Sequence, residues 1–550
     1  MKRKYYKLII IVLAVGSLGL FGFKAADNYF EISKNLEIYT AIIKDINTYY
    51  VETVNPDKMN RTGIDAMLKT LDPYTVYISE SEVEDYRFLT TGQYGGIGAQ
   101  VVQRDDYLMI TDVYDNWPTQ KAGLRAGDMI LAIDDKSTKK QTVDDITKLL
   151  KGQAGTEVKL LVKRNGIDQP FEKSIMREEI KVKDVPFHGM LNDHIGYIKF
   201  IGFHEDATKE MHDALVDLKK NKGFNALIID VRGNPGGLLD EAIKTVNLFV
   251  DKGLLVVSTK GKVDEWNKEY ITEDDPLDSK VPVAVLADAH SASAAEIVSG
   301  SLQDLDRAVI IGENTYGKGL VQTSRMLPYN TQLKVTTAKY YIPSGRCIQQ
   351  IDYGNRDENG KPIKVADSLR KPFKTKDGRT VYDGGGVKPD IIVEKKKYPD
   401  VITSLAAKKL FFDFATQYRD KHDSIPAAKD FHLTDQDFND FVAFTKGKEY
   451  NYTTGTEDDL SKLEKDAKDE KYYDALEADL KNLKEKLDKD KNDDIFKYKQ
   501  DIKDLLEEEI ASRYYYDQGR IMSSFNHDKD VLEAEKLFDD PARYASILGK

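Results

Sequence analysis

Residues 288–300 read D-A-H-S-A-S-A-A-E-I-V-S-G and residues 312–322 read G-E-N-T-Y-G-K-G-L-V-Q, and the fold turns on what these two stretches carry. Ser293 sits in a run of small residues that opens a predicted helix. Lys318 lies between Gly317 and Gly319, and Gln322 follows four positions later. A serine hydroxyl is a weak nucleophile until a base within hydrogen-bond reach takes its proton. A lysine can be that base only when neutral, which requires a desolvated pocket to lower its pKa. The surroundings suit this: the flanking glycines let backbone pack close to the amine, and Leu320 and Val321 are apolar. Ala292, Ala294 and Ala295 leave room for a substrate beside Ser293, and N–H groups at a helix start can hold an oxyanion. A plainer reading also stands: Ser293 caps a helix, with Glu296 completing an S-x-x-E capping box, and G-K-G is a surface turn.

The neighbouring segments bear on that choice. Ala226–Val231 is a continuous apolar run, as buried parallel strands are, and it breaks into Arg232-Gly233-Asn234-Pro235-Gly236-Gly237 before a helix running to about Phe249. Val281–Ala287 is a second such strand and leads to Ser293; Ala308–Gly312 is a third and leads to Lys318. Open α/β sheets place their sites at strand ends of this kind. Three turns of small residues can therefore converge on one crevice, which favours the Ser/Lys reading over the cap. Gly236 and Gly237 can aim backbone N–H groups at a developing oxyanion, and a tight turn that needs glycine is compatible with that role.

Upstream, Tyr94-Gly95-Gly96-Ile97-Gly98-Ala99-Gln100-Val101 is a glycine-rich turn leading into a strand, with a charged hairpin tip at Arg104-Asp105-Asp106. N-W-P-T-Q-K-A-G-L-R-A-G-D-M-I-L-A-I-D-D spans Asn116–Asp135, and a helix near Val143–Leu150 and a strand at Glu157–Arg164 follow. The stretch from about Thr90 to Ile175 resembles a PDZ domain. The resemblance implies capture of a partner's free C-terminus. Gly95, Gly96, Ile97 and Gly98 would offer N–H groups to the terminal carboxylate while the peptide adds a strand to the sheet edge. No G-K-[ST] follows the glycines, so a Walker-type phosphate loop is not indicated.

The chain as a whole sets further bounds. At 550 residues it has room for several domains. A net charge of −12 gives no electrostatic footprint for nucleic acid. The single cysteine, Cys347, excludes an intramolecular disulfide, and no zinc signature occurs, so neither a metal nor a cofactor is expected. Lys2, Arg3, Lys4 and Lys7 precede an apolar run, Leu8–Phe23, which reads as a signal peptide or signal anchor and puts the body outside the cytoplasmic membrane. From Tyr29 to about Leu71 the spacing is helical through Ile32, Leu36, Tyr39, Ile43 and Ile46, with a break at Val54-Asn55-Pro56. This leader is expected to pack on the body rather than on a second subunit.

The C-terminal region is charged and helical. Val401–Arg419 and Asp435–Phe444 read as helices, and Asp458–Ser512 reads as a solvated helical hairpin with leucines at 476, 480, 483 and 487. Tyr514-Tyr515-Tyr516 is expected to pack this extension on the body.

Taken in order, the PDZ-like stretch, D-x-R-x-N-P-G-G, S-A-S-A-A-E, G-K-G-x-V-Q and T-A-K-Y-Y-I-P-S-G-R resemble the C-terminal processing (tail-specific) serine peptidases, from about Ile32 to Glu394. The resemblance implies a crotonase-like α/β body with a PDZ domain ahead of it. It also implies Ser293 as nucleophile, Lys318 as base and Gln322 as the residue that orients the lysine. The oxyanion donors would be the amides of Ala294 and of one turn glycine, Gly236 being favoured over Gly237. The expected order is a signal segment (1–25), a helical region (26–88), the PDZ domain (89–177), the protease body (178–398) and a helical extension (399–550). An extended charged loop at 351–381 has no assigned role. The expected function is an extracytoplasmic, membrane-tethered endopeptidase that binds protein C-termini, with homo-oligomers expected through the helical regions. Two alternatives are a PDZ adaptor or chaperone on a silent protease fold, and an enzyme whose base is His290.

Overall fold

The computed structural model describes residues 29–550, so the leader expected at 1–25 lies outside the described residues. Among the described residues no helix is long and apolar enough to cross a membrane. The chain forms two compact units: residues up to 77 with 324–335, and 78–323 with 336–550. In the first unit a helix over 29–49 precedes the helix Pro56–Lys69. Asn55 explains the break between them, since its Oδ1 accepts the Lys58 N–H at 3.0 Å and Pro56 takes the first helical position. The Leu71–Tyr74 turn closes on Asp72, whose Oδ1 takes the N–H groups of Tyr74 and Thr75, both at 2.8 Å.

The second unit begins its PDZ sheet at Ala99–Arg104 and continues through Tyr107–Val113, Met129–Ile133, Glu157–Lys163 and Phe171–Met176, all antiparallel neighbours. Leu108, Ile110, Ile130, Ile133, Val158, Leu160 and Val162 fill its core together with Ile146 of the helix Val143–Leu150. The aspartate of the G-D-M-I motif has a structural reason. Asp128 is buried, and it accepts from Arg164 Nε and Nη2 at 2.7 and 2.6 Å and from the Arg125 N–H at 2.9 Å.

The body is built on a six-stranded sheet in the order Phe187–Met190, Ile195–Lys199, Ala226–Asp230, Val283–Ala287, Ala308–Gly312, Ile391–Ile392. The first pair is antiparallel and the rest are parallel. Side chains alternate across it. Leu227, Ile229, Val283, Val285 and Ile310 face the helices Ala207–Leu218, Leu239–Asn247 and Ala294–Asp304. Tyr197, Ile228, Ala284, Leu286, Val309 and Ile311 face the other way, onto Phe525, Val531, Ala534, Leu537 and Leu548 from the C-terminal helices. The continuous apolar runs seen in the sequence are thus strands covered on both faces, and residues 525–548 supply one of the covers.

The rest of the C-terminal region differs from the sequence reading in three places. The stretch read as one helix over 401–419 is two, Asp400–Ala407 and Leu410–Lys421, because Lys409 adopts φ +57° and turns Leu410, Phe411 and Phe414 into a local core. Gly455–Asp469 and Tyr473–Lys497 are largely exposed helices, but Lys499–Ser524 is not part of a surface hairpin: Ile502, Leu506 and Ile510 are fully buried. The three hydroxyls of the tyrosine trio find their partners outside the protease body. Tyr514 and Tyr515 donate their hydroxyls to carbonyls of His422, Ile425 and Pro426 within the helical region, while the Tyr516 hydroxyl accepts from Gln120 of the PDZ domain at 2.7 Å. Two ion pairs join the same surfaces, Arg104–Asp413 and Arg125–Asp420, both at 2.6 Å. The extended loop after Gln350 folds as two small hairpins, Ile351–Arg356 with Pro362–Lys364 and Pro372–Lys374 with Thr380–Tyr382.

Candidate active site

The strand Val283–Ala287 ends at Asp288, whose Oδ1 accepts N–H groups from His290 and Ser291 and, across the sheet, from Gly233, each at 3.0 Å. One carboxylate thus ties the serine loop to the D-V-R-G-N-P-G-G turn. Ser291, the first serine of S-A-S, is fully buried and donates to the Val231 carbonyl at 2.8 Å, which makes it a structural residue. Ser293 is different. It is half-buried and has φ +56° and ψ −114°, a strained conformation for a non-glycine residue that costs on the order of 1–3 kcal/mol. The helix Ala294–Asp304 starts immediately after it.

Glu296 holds the arrangement together. Its carboxylate is completely buried and accepts from Ser293 N at 2.9 Å, Gly317 N at 2.6 Å, Lys318 N at 2.8 Å and Thr315 Oγ1 at 2.5 Å. Burial raises its pKa, and those four donors oppose the rise. The capping-box partner seen in the sequence is present, since Glu296 reaches back to Ser293 N, while its own N–H goes to the Ser293 carbonyl at 2.8 Å. Its second oxygen and two further amides carry the box beyond the helix, to the lysine turn. The far side of that turn is fixed as well. Gly319 N donates to Gln349 Oε1 at 2.7 Å, Gln350 N donates to the Gly317 carbonyl at 2.9 Å, and Tyr340 N donates to the Gly319 carbonyl at 3.0 Å, while the Tyr340 hydroxyl donates to the Ser293 carbonyl on the serine loop at 3.2 Å. Gly319 has no room for a side chain, because a Cβ there would lie 2.8 Å from Gln349 N.

The N-P-G-G turn lies against the serine loop. A Cβ on Gly236, at φ +95°, would come within 2.8 Å of both Ala294 N and Ser293 Cβ. Ala292 N donates to the Asn234 carbonyl at 2.9 Å. The N–H of Gly236, the glycine favoured from the sequence as an oxyanion donor, is given to Asn234 Oδ1 at 2.8 Å. The N–H groups of Ala294 and Gly237 donate to no protein acceptor among the described residues. Gly237 is held by backbone contact, with a would-be Cβ 2.4 Å from the Phe203 carbonyl.

The remaining sequence-predicted residues are placed as follows. Gln322 lies on the strand Leu320–Leu327 and donates to Thr336 Oγ1 at 3.3 Å. The His290 side chain is exposed; its backbone N–H is what binds Asp288. In the PDZ domain Gly95 and Gly96 belong to a short strand paired with Glu178–Lys181. The Ile97 carbonyl takes two bonds from Thr119, at 2.9 Å from N and 2.7 Å from Oγ1, and the Gly98 carbonyl takes the Tyr114 N–H at 3.0 Å. The N–H groups of Ile97 and Gly98 donate to no protein acceptor among the described residues, and they precede the outermost strand of the sheet. No group of three metal-ligating side chains occurs among the described residues. Sequence reasoning missed Asp288, Asn234, Gln349 and Tyr340, and it saw Glu296 only as a cap; its S-x-x-E spacing was the available signal.

Comparison with known proteins agrees with this architecture. Residues 194–354 match peptidase family S41, residues 109–164 match a PDZ domain, and residues 401–538 match the C-terminal helical domain of probable PDZ-proteases. The carboxy-terminal-processing protease of Bartonella bacilliformis is 37% identical over 324 residues, covering 58% of this chain and 73% of that protein. A probable CtpA-like serine protease of Staphylococcus aureus is 32% identical over 369 residues, 66% of each chain. Among solved structures, the photosystem II D1 C-terminal processing protease aligns over 65% of this chain and 87% of its own at 23% identity, with a TM-score of 0.35. A buried carboxylate that joins a serine loop to a lysine turn, on an α/β body preceded by a PDZ domain, is therefore found in a chain that belongs to the carboxy-terminal-processing serine peptidases of family S41.

Proposed function

We propose that the protein is an endopeptidase outside the cytoplasmic membrane that takes hold of a protein C-terminus through its PDZ domain and cuts the adjoining chain with a Ser293/Lys318 dyad. One observation carries the reading: Glu296 Oε2 binds the backbone N–H of both residues, at 2.9 and 2.8 Å. In this mechanism neutral Lys318 takes the Ser293 proton as Oγ bonds to the peptide carbonyl carbon. The resulting oxyanion sits on the amides of Ala294 and Gly237. Collapse breaks the C–N bond, with the lysine's proton going to the leaving amine, and a water deprotonated by the same lysine releases the acyl group from Ser293. Gln322 positions the Lys318 amine. The substrate's terminal carboxylate rests on the amides of Ile97 and Gly98, and its backbone pairs with Ala99–Arg104. The basic, apolar leader targets or tethers the chain to the membrane.

The test uses the full-length chain in detergent and a labelled, unfolded polypeptide that ends in an apolar tripeptide. Ser293→Ala and Lys318→Ala abolish cleavage, and His290→Ala leaves most of it. Activity surviving Lys318→Ala but lost in His290→Ala would move the base to the histidine. Binding without cleavage by the wild type would leave a tail-binding adaptor.

A further inference from the structure

Arg232 follows the strand Ala226–Asp230 and opens the turn that carries Gly236 and Gly237. Its guanidinium is fully engaged on two sides. Toward its own strand, Nε and Nη2 donate to Asp230 at 3.0 and 2.6 Å. Toward the C-terminal region, Nη1 and Nη2 donate to Asp528 at 2.9 and 2.8 Å, and Nη1 also donates to Asp530 at 2.8 Å. Asp528 is the N-cap of the helix Lys529–Phe538 and accepts from the N–H groups of Asp530 and Val531. That helix sits under the sheet through Val531, Ala534 and Leu537. Two aspartates almost three hundred residues downstream in sequence thus end on the arginine that begins the oxyanion turn.

The charge balance gives these contacts a purpose. Asp230 is fully buried and serves Lys199 as well as Arg232, with Lys199 Nζ 3.1 Å from its Oδ1. Asp230 alone would face two cations, and a mostly buried guanidinium left short of acceptors moves to find them. Such a shift would pull Arg232 toward Asp230 and with it the backbone from Arg232 to Gly237. Gly236 has no slack, since even a Cβ placed on it would lie 2.8 Å from both Ser293 Cβ and Ala294 N. An oxyanion donor displaced by less than 1 Å loses most of its effect.

We propose that Asp528 and Asp530 are positioning residues for the peptidase reaction. They hold Arg232, and through it the N-P-G-G turn, in register with the Ser293 loop, so the C-terminal helical region completes the active site. This rests on the serine-peptidase reading above.

The test is Asp528→Asn with Asp530→Asn in the full-length protein, because asparagine keeps both the side-chain shape and the N-cap. Cleavage of the apolar-tailed polypeptide is measured across substrate concentrations, together with thermal melting and amide hydrogen exchange. The expected result is a kcat lowered about tenfold or more, with KM and the melting temperature unchanged and exchange faster in peptides covering 231–238. If the double variant melts earlier, the Asp530→Asn single variant, which leaves the cap untouched, is read instead and shows the same pattern more weakly. An unchanged kcat, or a rise in KM alone, overturns the proposal while leaving the dyad standing. A wild type that does not cleave this polypeptide, or that cleaves it undiminished after Ser293→Ala, refutes the peptidase reading itself, before any change at 528 or 530, and the positioning role falls with it.

Discussion

The backbone N–H groups of Ser293 and Lys318 end on the same atom, Glu296 Oε2, at 2.9 and 2.8 Å, which puts their nitrogens within about 6 Å of each other. Two loops that leave different strands are thus fixed relative to one another by a single buried oxygen. The arrangement depends on an acceptor with no proton and no N–H of its own.

Glu296→Gln removes that property at nearly constant shape. An amide offers one acceptor oxygen, and its NH₂ would face backbone donors, so at least one of the four bonds to Ser293, Thr315, Gly317 and Lys318 is lost. The expected outcome is a kcat reduced about a hundredfold or more, with about 1–3 kcal/mol lost in denaturant unfolding. Full activity in Glu296→Gln would show that the shared oxygen does not set the geometry.

Gly236→Ala tests the close approach of the two turns. The new Cβ would lie 2.7 Å from the Ala292 carbonyl and 2.8 Å from Ala294 N, on a backbone at φ +95°. Cleavage should fall below detection. Binding of a tail peptide to the PDZ domain, followed by fluorescence anisotropy, should not change.

Asp112 makes stability depend on pH where the PDZ domain meets the helical region. Burial, followed by repulsion from Asp517, pushes its pKa up to about 6; Arg520 and Arg513 oppose this and Glu509 adds to it. The folded state therefore binds a proton more readily than the unfolded chain. Stability from this group is greatest below the unfolded value of 3.8 and falls as pH rises through about 6. Asp112→Asn should remove that fall and raise stability at pH 7.5 by about 1–3 kcal/mol. Denaturant curves at pH 5 and 7.5 check it: the two proteins should differ more at the higher pH, and the opposite order would contradict the assignment.

Leu537→Ala measures how far the C-terminal helices belong to the body. Leu537 is fully buried beneath the sheet with Ile228, Leu286 and Ile311. A cost of about 2–5 kcal/mol in equilibrium unfolding is expected, appearing in the transition of the protease body rather than in a separate one.

Much of this was legible in the sequence, and particular residues show why. Ala226–Asp230, Val283–Ala287 and Ala308–Gly312 announce themselves because strands covered on both faces lose the polar half of their alternation. Ser293 and Lys318 stand out because glycine and alanine flank them. What covers the second face of those strands could not be read. Phe525, Val531 and Leu537 are spaced like the apolar stripe of any amphipathic helix, and nothing in that spacing names the surface it meets. Gly236 was favoured over Gly237 from the family resemblance; only the Asn234 side chain, two residues before it, decides where its N–H goes. The kink at Tyr516, at φ +55° and ψ −152° inside the helix Lys499–Ser524, left no trace in composition. Gly519, packed against the Ala511 carbonyl, is its nearest sequence mark.

The burial of Phe525, Leu537 and Leu548 under the catalytic sheet also bears on how the polypeptide is made. A ribosome delivers the serine and lysine loops more than two hundred residues before it delivers Leu548. Until that last segment emerges, one side of the sheet stays bare and the hydrolase is unfinished. Translation cut short before residue 525 yields a product unable to bury its own strands, so a hydrolytic machine freed of its helical region is not an outcome that premature termination can produce.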